Sequence, residues 1–342
     1  MSDIKINNVT NRNGDTGPII AGVSTVSSSA FMVMPSGDTA IRGAGSGRGV
    51  FGGGLAPSNI NTLGFITIAS TGNAQDFGDL SSARRFPAAL ASSTRGLFGS
   101  GLNDTTIDYV TISSGGGASD FGDKIRQGFS ASGLSNNIRG IFAGGYHPSG
   151  AIFRKTMEFV TIATTSDAND FGELSQGGCH IGACASPTRG ILMGASVSES
   201  PTVVNTIEFI TIATTGDAQD FGDLTAPTDE GASVSSQTRA LIGGGDSPSN
   251  TNITNKIEFV TIATTGNAQD FGDLSDGRSR LGSCSSTIRG VFITGQSAEP
   301  ATYSNVIDFV TIASTGNATD FGDALITGFE QSGCADVHGG LG

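Results

Sequence analysis

Apolar positions in this chain fall in short strings of Val, Ile, Phe and Thr, broken at brief intervals by Gly, Ser, Asn and Asp. That pattern predicts many short strands joined by turns rather than helices. Within it one phrase recurs: TIATTGNAQDFGDL at Thr261–Leu274 has near-copies throughout, and the Asp opening each DFGD or DFGE stands at 76, 120, 170, 220, 270 and 320. A second marker, the Arg of segments such as RGVFGGG and RGIFAGG, stands at 48, 95, 139, 189, 239 and 289. From each Asp to the next Arg the distance is always 19 residues, whereas from Arg to the following Asp it is 28, 25 or 31. All length variation therefore falls in one connection, which marks it as a loop free of packing constraints.

Each unit reads as four strands: a small, alternating one (LGSCSST), then RGVFITG, then VIDFVTIAS, then the stretch around DFGD. TGN, TGD or SGG supplies the turn before the last. The third strand is apolar on both faces, as in Ile207 to Ile212, so a unit buries itself only by stacking against copies of itself. Six units that hide their edges close into a ring. After Asp320 the tail GFEQSGCADVHGG provides one more first strand, which is expected to complete the first unit. The fold expected is all-β: a six-bladed β-propeller over 41–342 closed by the C-terminal strand, preceded by a short β-rich segment over 1–40.

Composition sharpens this picture. Gly accounts for 52 of 342 residues and Trp is absent. The net charge of −13 argues against nucleic acid as a partner. No run of about 18 apolar residues is present, so no membrane insertion is expected, and the N-terminus lacks a signal-peptide layout. Cys184, Cys284 and Cys334 lie at multiples of 50 residues from one another, and with Cys179 they form no metal spacing; small buried thiols are expected. No cofactor or metal is expected.

The motif DFGD also occurs in protein kinases, but the strand Lys and catalytic loop of that chemistry are missing, and one active site does not come in six copies. A calcium reading lacks the further oxygens such a site needs. A scaffolding role fits best: the Phe fills the gap between blades, the Gly bends the outer strand, and the acids at Asp120, Asp170, Asp220, Asp270 and Asp320 meet the arginines at Arg95, Arg139, Arg189, Arg239 and Arg289 or cap turns. His147, His180 and His338 occupy different phases and are expected to be isolated surface or turn residues.

The order RGVFGGG, TIEFITIATTGDAQDFGDL, SARRFPAALASST resembles kelch repeats over residues 48–342, with the kelch Trp replaced by Phe77, Phe121, Phe171, Phe221, Phe271 and Phe321. The wording of the repeats, with the opening IKINNVTNRNGDTGPIIAGVSTV, resembles virion proteins of marine cyanobacterial phages. That resemblance implies a non-enzymatic virion structural protein, a tail or fibre-associated adhesin. Its N-terminal segment would dock to other virion proteins as a homo-oligomer, a trimer being the common form among viral appendages. The propeller would meet a host-surface glycan or protein. Contact residues are expected in the variable loops: Tyr146, His147, Phe153, Arg154, Lys155 and Tyr303. The alternatives are a capsid decoration protein without a receptor role and an enzyme with a site at the axial mouth. The enzyme reading requires convergent polar residues there, and small residues are expected instead.

Overall fold

The computed structural model describes residues 47–101, 104–149, 151–198, 202–247, 253–297 and 302–341. The segment 1–40 lies outside the described residues. Six small antiparallel sheets succeed one another along the chain, with their strands in sequence order in all but the first. The second blade is representative: Ala88–Ala91 is innermost, followed outward by Arg95–Gly99, Thr106–Thr111 and Ser119–Asp123. In the first blade the innermost place is taken by Ser332–Ala335, paired antiparallel to Arg48–Gly52 with Val50 opposite Cys334. The chain end thus closes the ring as expected.

Apolar side chains on both faces of the second and third strands produce one buried cluster at each junction between blades. Phe77 of the first blade packs with Phe98, Val110 and Ile112 of the second, and Phe321 of the last packs with Phe51, Ile66 and Ile68 of the first. The innermost strands approach one another so closely that a Cβ on Gly133 would lie 2.3 Å from the Ala89 carbonyl oxygen. Their small residues are thus a steric requirement of the axis. Cys184, Cys284 and Cys334 share one position on these strands and are free and buried. Each packs across the junction on the second strand of the next blade: Cys284 faces Gly49 and Cys334 faces Gly96, the position at which Leu134 meets Gly190, while Cys184 clusters with Ala240.

DFGD forms the outermost strand, and the Phe is a bulge. Ile107 pairs with Gly122 and Asp108 with Asp120, leaving Phe121 without a partner across the ladder. The ring turns into the blade junction and meets Tyr109 edge-on at 6.1 Å. The glycine that follows has φ +142°, and a Cβ there would lie 2.5 Å from the Ser166 carbonyl oxygen in the next blade's turn. That turn is stitched to the strand by Ala168 N–H donating to the Asp123 carbonyl at 2.8 Å and by Asp123 N–H donating to Asp167 Oδ1 at 3.0 Å.

The pairing expected between the arginines and the first Asp of each motif is not what the structure contains. Asp120, Asp170, Asp220, Asp270 and Asp320 are exposed. The arginines instead lie over the third-strand aromatic of their own blade, Arg189 at 4.6 Å from the Phe209 ring centre. They also reach to the next blade, where Arg189 Nη1 donates to the Ile262 and Ala263 carbonyls at 3.0 and 3.1 Å. Arg95, Arg139, Arg239 and Arg289 repeat the arrangement. The arginines do staple blades, but through carbonyl oxygens and a ring face, because a strand end buried in the junction presents those acceptors and the exposed acids do not.

Candidate functional site at the axial mouth

A carboxylate on the third strand, buried at Asp108 and Glu158 and half-buried at Glu208, holds the chain where it turns from the outer rim back to the axis. Asp108 accepts from Ser81 N–H at 3.0 Å, Glu158 from Ile125 N–H at 2.9 Å and Glu208 from Ser175 N–H at 2.9 Å. Each holds the turn that follows the DFGD strand of the preceding blade. At the junctions with the second and sixth blades a buried arginine completes the site: Arg84 Nη2 meets Asp108 Oδ2 at 3.0 Å, and Arg278 bonds Asp308. The first blade has Gly64 in place of the carboxylate, with Leu325 packed against it, and there the outer strand runs on unbroken as Thr319–Gly328.

The returning segments meet at one ring. Phe86, Ser130, His180, Glu230, Arg280 and Glu330 all have positive φ, between 50° and 62°. Their backbones form a closed circuit in which each N–H donates to the carbonyl of the residue one blade earlier: Ser130 to Phe86, His180 to Ser130, Glu230 to His180, Arg280 to Glu230, Glu330 to Arg280 and Phe86 to Glu330, at 2.8 to 3.4 Å. The left-handed conformation costs a non-glycine residue about 1–2 kcal/mol. The circuit accounts for the conformation, because only left-handed residues aim N–H and C=O around the axis in this way. It does not account for the side chains, since glycine would relieve the strain at every position.

Those side chains form a charged knot. Arg280 Nε bonds Glu230 Oε2 at 2.9 Å, its Nη1 lies 3.7 Å from Glu330 Oε1, and Arg85 Nε lies 3.8 Å from Glu330 Oε2. Burial pushes the Glu330 carboxyl up to about 7 against the pull of Arg85 and Arg280. Burial, with the charge of Glu230, does the same to Asp229. His180 is driven down to about 4 by burial, despite Glu230, and is therefore neutral at physiological pH. Phe86 stacks on Phe129 at 5.9 Å and tilts against His180 at 4.9 Å.

The variable loops open on this same face. Phe129 pairs with Tyr146, Asp229 with Asp246 and Leu55 with Phe329 in isolated bridges, while Cys179 pairs with Ser196 and Ser279 with Gln296, so the loops are pinned beside the ring. Of the residues expected to make contact, Tyr146 meets Phe129 edge-on at 5.4 Å, Phe153 meets Tyr146 at 5.0 Å and Tyr303 lies against Phe329 at 4.6 Å. His147, Arg154 and Lys155 are not drawn to the ring; they bond the Ser149, Gln127 and Ser175 carbonyls.

Two expectations are corrected here. The mouth carries convergent polar groups rather than small residues alone; the small residues line the wall beneath it, around a cavity of about 150 Å³. His180 and His338 are not isolated surface residues but face the axis. His338 Nε2 lies 2.9 Å from the Ala91 carbonyl oxygen, and the turn Gly339–Leu341 closes the far end, where a Cβ on Gly340 would meet Ser135 O at 2.0 Å. The ring residues Phe86, Ser130, Glu230, Arg280 and Glu330 went unnoticed in the sequence, and His180 was noticed only as an isolated histidine. Their only signal was a column at constant distance from each DFGD in which the residue type keeps changing.

Fold and site together define a six-bladed β-propeller with one decorated, charged mouth and with the turn Gly339–Leu341 packed at the other end. No protein-family model matches this sequence, and no curated protein matches it. Among the described residues no helix is long and apolar enough to cross a membrane, and no group of three or more His, Cys, Asp and Glu is placed to hold a metal.

Proposed function

We propose that the chain is a non-enzymatic structural protein of a phage virion that presents its propeller as a binding module. The mouth face meets a host-surface glycan or protein, and residues 1–40 dock to other virion proteins as a homo-oligomer. The observation that carries the binding role is the sidedness of the ring. Variable loops, the half-buried Tyr146 and Phe153, the exposed Tyr303 and the charged ring share one face, whereas the turn Gly339–Leu341 packs at the other. A β-propeller is a scaffold consistent with such a role, and its loops change without disturbing the blades. The virion setting is supported by the likeness of the repeat wording, as is the kelch relation.

The non-enzymatic reading is favoured by the one thiol–imidazole pair at the mouth. Cys179 Sγ lies 3.4 Å from His180 Nδ1, but burial pushes the thiol up and the imidazole down. Both shifts oppose the thiolate–imidazolium form that nucleophilic chemistry uses.

Adhesion of the full-length chain to host cells tests the reading. Replacing Tyr146, Phe153 and Tyr303 together by Ala is expected to abolish adhesion, while Ile138→Ser with Ile288→Ser, at exposed turns on the opposite face, leaves it intact. The reverse result would overturn the assignment of the face. Light scattering of the full chain beside one beginning at Ala40 tests the docking segment; equal monomer masses would remove it.

A further inference from the structure

We infer that the axial ring is a pocket for a neutral, hydroxyl-bearing ligand, the terminal sugar of a glycan, seated with an apolar edge toward Phe86 and its hydroxyls on Glu330, His180 and Ser130. This deepens the binding role proposed above and rests on the mouth being the binding face. Three buried polar atoms at the ring have no hydrogen-bond partner: Glu330 Oε2, His180 Nε2 and Ser130 Oγ. All three residues line one recess of about 90 Å³ together with Phe86. Gln331 Oε1, likewise buried without a partner, belongs to a residue lining the same recess. Buried polar atoms are almost always paired, so these orphans mark where the polar atoms of an occupant belong.

The chemistry of the orphans selects that occupant. Among the ring's charged groups, Arg280 is balanced by Glu230 and Glu330, and Arg85 lies beside Glu330. Carboxylates outnumber cations here, Glu230, Glu330 and Asp229 against Arg85 and Arg280, but burial raises Glu330 and Asp229 to about 7. With both arginines in place only a weak pull on a cation is left, which the spermidine arm below tests. A carboxylate oxygen accepts, a serine hydroxyl does both, and the free nitrogen of a neutral imidazole does one or the other. Hydroxyl groups, which donate and accept, satisfy all three at once. Phe86, held at φ +50° and stacked on Phe129, adds the flat apolar surface that the C–H face of a sugar ring packs against. The recess is far smaller than the roughly 300 Å³ at the lower end of drug-sized pockets. Only the tip of a ligand enters it, as a chain-terminal residue does.

The test is titration of the full-length chain with glucose, galactose, mannose, glycerol, N-acetylneuraminic acid and spermidine, followed by calorimetry and by the His180 imidazole resonances. At least one hexose is expected to bind in the millimolar range and to shift those resonances. His180→Asn, which tolerates the left-handed backbone, and Phe86→Leu are each expected to weaken it about tenfold, the size of one lost polar contact. No hexose binding, binding only of the acid or of spermidine, glycerol binding as tightly as any hexose, or hexose binding that leaves His180 unmoved would each overturn the inference. The readout on His180 stands even where a variant fails to fold. A chain that adheres to cells yet ignores every hexose loses this pocket alone; one that takes a hexose but adheres by its opposite face loses only the adhesive role.

Discussion

At the outer rim equivalent positions in every blade carry the same Phe, buried at each junction, whereas at the axial mouth the equivalent positions carry Phe86, Ser130, His180, Glu230, Arg280 and Glu330. Both sets stand at a constant phase of one repeat. The rim contact is made between neighbouring blades and is the same problem at every junction, so one solution serves throughout. Around the axis the backbone circuit is likewise uniform, but the side chains gather at a single place and each faces different company. Repetition marks the part that builds the ring, and divergence at fixed phase marks the part that meets something else.

Substitutions can break that contrast. Phe221→Ala is expected to cost about 3–5 kcal/mol in urea denaturation through the cavity it leaves, without altering ligand binding at the mouth. A loss no larger than that of an exposed residue would mean the junctions are not where stability resides.

Next comes a pH effect set at the mouth by Asp229 and His180 and at the far end by His338. Asp229 has its carboxyl raised to about 7 from 3.8 in the unfolded chain, so the folded state binds the extra proton and its contribution to stability is lost as pH rises through 7. His180 and His338, lowered to about 4 from 6.5, work in the opposite sense and contribute stability as pH rises between those values. Asp229→Asn should therefore be more stable than the natural protein at pH 8, with the advantage vanishing near pH 4. Melting curves at the two values check this, and an equal difference at both would refute it.

Arg189→Ala removes a ring contact and two bonds to the next blade and is expected to cost about 1–2 kcal/mol, read from the same denaturation. Smallest of all, Asp220→Ala at the exposed start of DFGD should stay within about 0.5 kcal/mol. A melting loss comparable to that of Arg189→Ala would restore the acid as a staple.

Much of the rim was legible in the chain. The Phe filling each junction and the turn residues follow from local pattern, and the interval between DFGD and Arg reports a segment that cannot change length without breaking a junction. The partner of each Arg was not legible: charge suggested an acid in the same phase, while the acceptors are backbone carbonyls that every residue possesses and no letter announces. Tyr146, Phe153 and Tyr303 could be singled out as large groups in variable loops. The ring could not, because its members share no residue type.

By itself the sequence determined the number of blades, the order of their strands and the strand that closes the first, since these follow from short-range preferences repeated at a constant period. Only the tertiary structure decided that His180, Glu230, Arg280 and Glu330, each 50 residues from the next, share one polar knot. Closing a ring converts equal distances along the chain into contact around an axis, and the chemistry made there depends on which unlike side chains become neighbours.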